Sequence, residues 1–149
     1  DFDFDLVKDK SRDNPLFYVQ YAHARIFSVM KNARDLGWQV DDADLAAVPL
    51  DVLENEAELA LVRLLSSYPR MLGAAAKARE PHRVAFYLMD LAAAFHGLWN
   101  LGKEELDLRF IQEEDLAGSM ARLALIRATA LTLRSGFNVI GVTPQDELR

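Results

Sequence analysis

The groups that could do chemistry in this 149-residue chain are few, because it contains no cysteine and three histidines. Without cysteine there is no disulfide, no thiolate nucleophile and no Cys-ligated zinc. His23, His82 and His96 stand far apart. They form no i,i+4 pair and have no acidic neighbour at metal-ligand spacing, so a zinc site is not expected. A Ser/His/Asp arrangement would have to be assembled by the fold, and no GxSxG elbow marks one. No glycine-rich phosphate loop is present either, and the glycines read as helix stops. These residues describe a binding module with no catalytic residue and no cofactor of its own.

The candidates for binding are cationic and aromatic. The formal charge is -6, which is unusual for a protein that contacts phosphates. Its distribution is uneven: 13 acidic and 6 basic residues over positions 1–60, against 10 and 11 over 61–149. Arg63, Arg70, Lys77, Arg79 and Arg83 are opposed in their stretch only by Glu80. This is either a phosphate-facing patch or a solvated face. Arg127 and Arg134 are seven apart and share a helix face, whereas Arg122 is expected to point elsewhere. Trp99 either packs in the core or offers a platform for an unstacked base. Gln20 and His23 share an apolar face with Leu16, Phe27 and Met30. They must either find partners inside the core or belong to a surface that docks on another domain.

The elements that position these groups read as helices. Residues 1–13 alternate acidic and aromatic before becoming charged, like an edge strand or linker. Asn14-Pro15 is a capped helix start, and Gly37 is the stop. Residues 38–50 read as a loop with room for a helical turn around 44–48. Asp51 with Glu54 forms a capping-box pattern opening a second helix that ends near Tyr68. A third runs from Pro69 to about Arg79. A fourth starts at Pro81 and closes at Gly102, and a fifth runs from about Asp115 to Ser135, broken by Gly136. Between them lies a charged excursion, 103–114, with Leu106, Leu108, Phe110 and Ile111 as anchors. The fold class is all-α, a bundle of about five helices. No uninterrupted apolar run approaches the roughly 18 residues of a membrane span. Together with the absence of a signal-like N-terminus, this leads us to expect a soluble, cytoplasmic protein.

Three segments carry a resemblance. NPLFYVQYAHAR (14–25) is similar to the signature opening the anticodon-binding domain of arginyl-tRNA synthetases. YLMDLAAAFHGLW (87–99) resembles that family's helix reading roughly LYDLAxxFxxFY. RLALIRATALTLRSGFNVIG (122–141) looks like its closing helix and final hydrophobic turn. The order and spacing agree, and the resemblance covers nearly the whole chain, with 1–13 as the linker from a catalytic domain and 14–149 as the helical domain. It implies the C-terminal part of a class I ligase that charges tRNA(Arg) with L-arginine using ATP and magnesium. The HIGH-type signature and its Rossmann domain are missing here, so this chain alone is expected to be inactive. The implied partners are tRNA(Arg) and the ligase's own catalytic domain, with no membrane, no DNA and a monomeric state. The resemblance places Trp99 where an aromatic can face the anticodon loop, and Tyr18, Gln20, Tyr21 and His23 toward the catalytic domain or that loop. Arg79, Arg83, Arg127, Arg134 and the terminal Arg149 are the candidate tRNA contacts. The ending Asp146-Glu147-Leu148-Arg149 departs from the basic residue and Met that often close family members. The competing reading is a helical protein-interaction module without anticodon specificity.

Overall fold

A computed structural model describes residues 14–148; the expected linker, 1–13, and Arg149 lie outside the described residues. Helix α1, Pro15–Asp35, begins where expected: the Asn14 side chain accepts from the Leu16 amide at 2.9 Å, and proline occupies the first turn, where its missing N–H costs nothing. Gly37 follows with φ 81°, a left-handed conformation suited to a residue without a Cβ. The acidic loop after it contains a short helix α2, Asp42–Ala46, anchored by buried Leu45.

Helix α3, Glu56–Ser66, starts one turn later than the Asp51/Glu54 pattern suggests. Asn55 is the cap: its side chain accepts from the Ala57 amide at 2.9 Å, while Glu58 accepts from the Asn55 amide at 3.2 Å. The earlier pattern loses because Leu53 is buried in the preceding turn, and burying it requires the chain to bend there. Helix α4, Tyr68–Ala78, follows directly and ends on Arg79 in the left-handed region, φ 58°.

Helices α5, His82–Glu104, and α6, Leu116–Val139, are the central pair, joined through a 3-10 turn at Leu106–Leu108. Both run past their expected stops. Gly102 lies inside α5, buried against the backbone of Leu108 and Arg109, and lets the 3-10 turn fold back on the helix. Gly136 lies inside α6 where that helix meets α5, and a methyl group there would run into Leu88. Close packing of helices, rather than helix termination, explains both glycines. Of the expected anchors in the excursion, Leu108 and Phe110 are buried, Ile111 packs against the core and Leu106 is exposed.

Helix α1 packs on α5 and α6, α3 packs on the same pair, and α4 lies on α5. The core between them holds Ile26, Leu61, Leu91, Phe95, Leu98, Leu123, Ile126, Leu133 and Phe137, all fully buried. Among the described residues there is no strand, and the fold is all-α as expected. α6 is long and apolar enough in composition to cross a bilayer, but 56% of that stretch is buried inside the bundle, so it is the core helix.

Two polar contacts tie the bundle together. Arg122, seven per cent exposed, donates to Glu58 at 2.7 Å across the α3–α6 contact. Tyr87 donates to the Leu64 carbonyl at 2.7 Å, and burial pushes its phenol up to about 12.

Candidate nucleic-acid interface

The face where α1 meets the end of α5 combines aromatic rings with a positive charge. Tyr18, Tyr21 and Arg25 recur at three- and four-residue steps on α1, which aligns them on one side. Opposite them, His96 and Trp99 are three apart on α5. The Arg25 guanidinium carbon lies 4.1 Å from the centroid of Tyr21 and 4.8 Å from that of Trp99. Arg25 Nη2 donates to the Tyr21 hydroxyl at 2.8 Å, and Nη1 donates to His96 Nδ1 at 3.2 Å. Arginine cannot accept, so His96 Nδ1 is the acceptor. Its Nε2–H then donates to the Tyr18 carbonyl at 3.3 Å, which defines a neutral imidazole. Burial is the main cause holding His96 below the ordinary histidine value, and the Arg25 charge acts in the same direction.

Trp99 is half-buried. Phe95 and Phe110 pack against it at centroid distances of 6.2 and 5.9 Å, so it shares in the core and still borders the surface. Beside it opens a groove of about 360 Å³, walled by Val29, Leu98, Phe110 and Ile111 and edged by Lys103 and Arg109. Apolar walls with cations at the rim suit a ligand with a flat apolar body and a negative charge.

Gln20 and His23, on another side of α1, hold the chain's own C-terminal segment. Gln20 donates to the Thr143 carbonyl at 2.8 Å and accepts from the Gln145 amide at 2.8 Å. Pro144 between them has no N–H to satisfy and favours an extended Thr143. His23 Nδ1–H donates to the Gln145 carbonyl at 2.7 Å, and Asp146 lies 3.8 Å away. The His23 pKa is lowered, chiefly by burial, with Gln145 and Asp146 acting in the opposite direction.

The expected cationic patch divides. Arg63 pairs with Glu56 and Arg83 with Glu80, whereas Arg70, Lys77 and Arg79 are exposed and have no carboxylate partner among the described residues. On α6, Arg127 makes a forked pair with Asp42 at 2.6 and 3.1 Å, which secures α2, and Arg134 reaches Asp146 of the C-terminal segment at 3.5 Å. Arg149 lies outside the described residues. The structure therefore brings Tyr18, Tyr21 and Trp99 together and keeps Arg79 and Arg83 apart from them on α4 and at the start of α5. Sequence reasoning missed Arg25 and the clamp on the C-terminal segment, and it read Phe110 as an anchor without its contact to Trp99. Arg25 stands four residues after Tyr21, a helical pairing that was visible, but its approach to Trp99 across 74 positions was not.

The described residues contain no group of histidine and carboxylate side chains able to hold a metal ion. The sequence profile of the DALR anticodon binding domain matches residues 19–148. The chain belongs to that family. This DALR domain is 53% identical, over its whole length, to an arginine–tRNA ligase of Parvibaculum lavamentivorans and 51% identical to one of Cereibacter sphaeroides. It spans 26% of each relative, at their C-terminal end. In three dimensions it is similar to the Thermus thermophilus arginyl-tRNA synthetase, with a TM-score of 0.67 and 25% identity, covering 95% of this chain and 22% of that one. A Campylobacter jejuni chain assigned as an arginyl-tRNA synthetase matches with a TM-score of 0.78 and 26% identity, over 99% of this DALR domain and 29% of that chain.

Proposed function

We propose that this DALR domain binds the anticodon stem and loop of tRNA(Arg) as the C-terminal part of an arginine–tRNA ligase. The observation that carries the proposal is whole-length identity above half to the C-terminal quarter of such a ligase. The joint aromatic and cationic face supports it, since loop bases are recognised by stacking and phosphates by charge. The helical interaction module, the competing reading, has no comparable support.

In this proposal catalysis belongs to the remainder of a cytoplasmic class I ligase, which joins L-arginine to tRNA with ATP and magnesium. The domain contributes affinity and choice of tRNA and docks on its catalytic neighbour, in a monomeric enzyme. Trp99 contacts a base of the loop, with Tyr18 and Tyr21 beside it. Arg79 and Arg83 meet phosphates of the stem. Arg127 and Arg134 serve the same purpose only by exchanging Asp42 and Asp146 for phosphate, while Gln20 and His23 act through the segment that ends at Arg149. The test is a titration of the protein with tRNA(Arg) at low and moderate salt, beside the same tRNA with its middle anticodon base replaced. A preference for the native anticodon that persists in added salt is expected. Equal and salt-sensitive binding of both would reject base reading by this domain.

A further inference from the structure

The segment 143–148 runs from the end of α6 onto α1 and is held there chiefly by polar contacts. Val142, just before it, packs against the core and donates to the Phe137 carbonyl at 2.8 Å, whereas no residue of 143–148 belongs to the buried core. Gln20 grips the backbone twice, at Thr143 and at Gln145, and Arg134 reaches Asp146 at 3.5 Å. That ion pair is 46% exposed on one side and 47% on the other, so water and salt screen it. A segment with few buried apolar contacts opens at lower cost than the bundle that carries it.

The remaining contact differs in kind. The His23 side chain is 3% exposed, and its Nδ1–H donates to the Gln145 carbonyl at 2.7 Å. The charged groups that face it are Asp146 of the segment, 3.8 Å away, and Arg134 and Arg127 of α6. A proton on this imidazole places a cation near two others in a site closed to water. Asp146 offsets little of that cost, because it is half exposed and shared with Arg134, while Asp42 is taken up by Arg127. The outcome is a lowered His23 pKa, with burial the largest cause. Lifting the segment away admits water to the ring, so the open form takes a proton more readily than the closed one.

We propose that the segment 143–148 is a strap with a proton-sensitive catch: it stays closed on α1 while His23 is neutral and opens, pivoting after Val142, when His23 is protonated. Above the ordinary value of 6.5 neither form carries the proton, and closure is at full strength. As pH falls from there toward the lowered value, the open form alone gains it. The open-to-closed ratio then rises by up to about tenfold per pH unit.

The chain has no cysteine, so Glu147→Cys attaches a single fluorophore to the strap of the otherwise intact protein. Its anisotropy is followed from about pH 7.5 to about pH 5.5 beside the helical circular dichroism. The anisotropy is expected to fall while the helical signal holds constant. His23→Asn, whose amide can donate to the Gln145 carbonyl and does not titrate, should abolish the fall, and Asp146→Asn should keep it. Gln20→Ala loses both backbone contacts. It should raise opening roughly tenfold at neutral pH and move the midpoint upward. If His23→Asn does not fold, that upward displacement is the deciding result. The proposal is overturned by an anisotropy that ignores pH, by a fall that survives in His23→Asn or is lost in Asp146→Asn, or by a fall that coincides with loss of helix. An unmoved midpoint in Gln20→Ala overturns it as well.

Discussion

Arg122 and Arg25 have opposite surroundings in the same bundle. Arg122 crosses from α6 to Glu58 on α3, with Asp115 3.8 Å from its second nitrogen, and its Nη1 is the one buried side-chain polar atom among the described residues without a hydrogen bond. Its charge is cancelled within the fold, so its role is to join helices. Arg25 lies between two aromatic rings and a neutral histidine, with no carboxylate partner among the described residues. The comparison shows that what a withdrawn cation does depends on whether the fold supplies its counter-ion.

The strongest way to break the comparison is to remove one counter-ion. Glu58→Ala leaves Arg122 with only the more distant Asp115, 3.8 Å away, and also removes half of the α3 capping box. The expected loss is about 3–5 kcal/mol of stability, read from chemical denaturation. A loss below about 1 kcal/mol would mean that the pair does not hold α3 to α6. On the other side, Trp99→Ala should weaken tRNA binding by roughly 1–3 kcal/mol if a base stacks there. Because Trp99 also packs on Phe95 and Phe110, melting and binding curves must be read together, and a folded variant with unchanged affinity would remove the stacking role.

The neutral histidines give an intermediate effect. His96 and His23 both have pKa values lowered from 6.5, chiefly by burial. Between the lowered values and 6.5 the unfolded chain binds more protons than the folded one, so stability is full above that window and declines as pH falls through it. Melting temperatures measured from about pH 7.5 down to about pH 5.5 should fall, and His96→Asn should reduce that slope. An identical slope in the variant would mean that His96 is not held neutral. The smallest effect is expected at Arg79, whose backbone is left-handed at φ 58°. Arg79→Gly should raise stability by roughly 0.5–1 kcal/mol while flattening the salt dependence of RNA binding. If the slope does not move, the exposed cations of α4 face only solvent.

Local signals in the sequence were sufficient where one residue type satisfies one local need. Asn14-Pro15 opened α1 as read, and Gly37 supplied the left-handed turn after it. The three segments of family resemblance led to the domain that the profile match and the fold both support. Local signals failed where a residue's purpose lies across the bundle. Gly102 and Gly136 were read as stops because their close neighbours, the backbone at 108–109 and Leu88, are remote in the chain or on another helix. Asp51/Glu54 and Asn55/Glu58 both satisfy a capping pattern, and burial of Leu53 together with the Glu58–Arg122 pair selected the second.

The same division applies to the candidate interface. Periodicity along α1 placed Gln20 and His23 on an apolar face and left two destinations open, the core or another domain. Tertiary structure buries both and gives them partners within the domain, from the Thr143–Asp146 segment more than a hundred residues away. Sequence by itself determined that this protein is a helical bundle, where its first helix begins, and to which family it belongs, because helix patterns and family signatures are carried by contiguous residues. Only the fold decided which cations keep their charge available, because a counter-ion is a matter of distance in space: Arg127 found Asp42, Arg122 found Glu58, and Arg25 found two aromatic rings and a neutral imidazole.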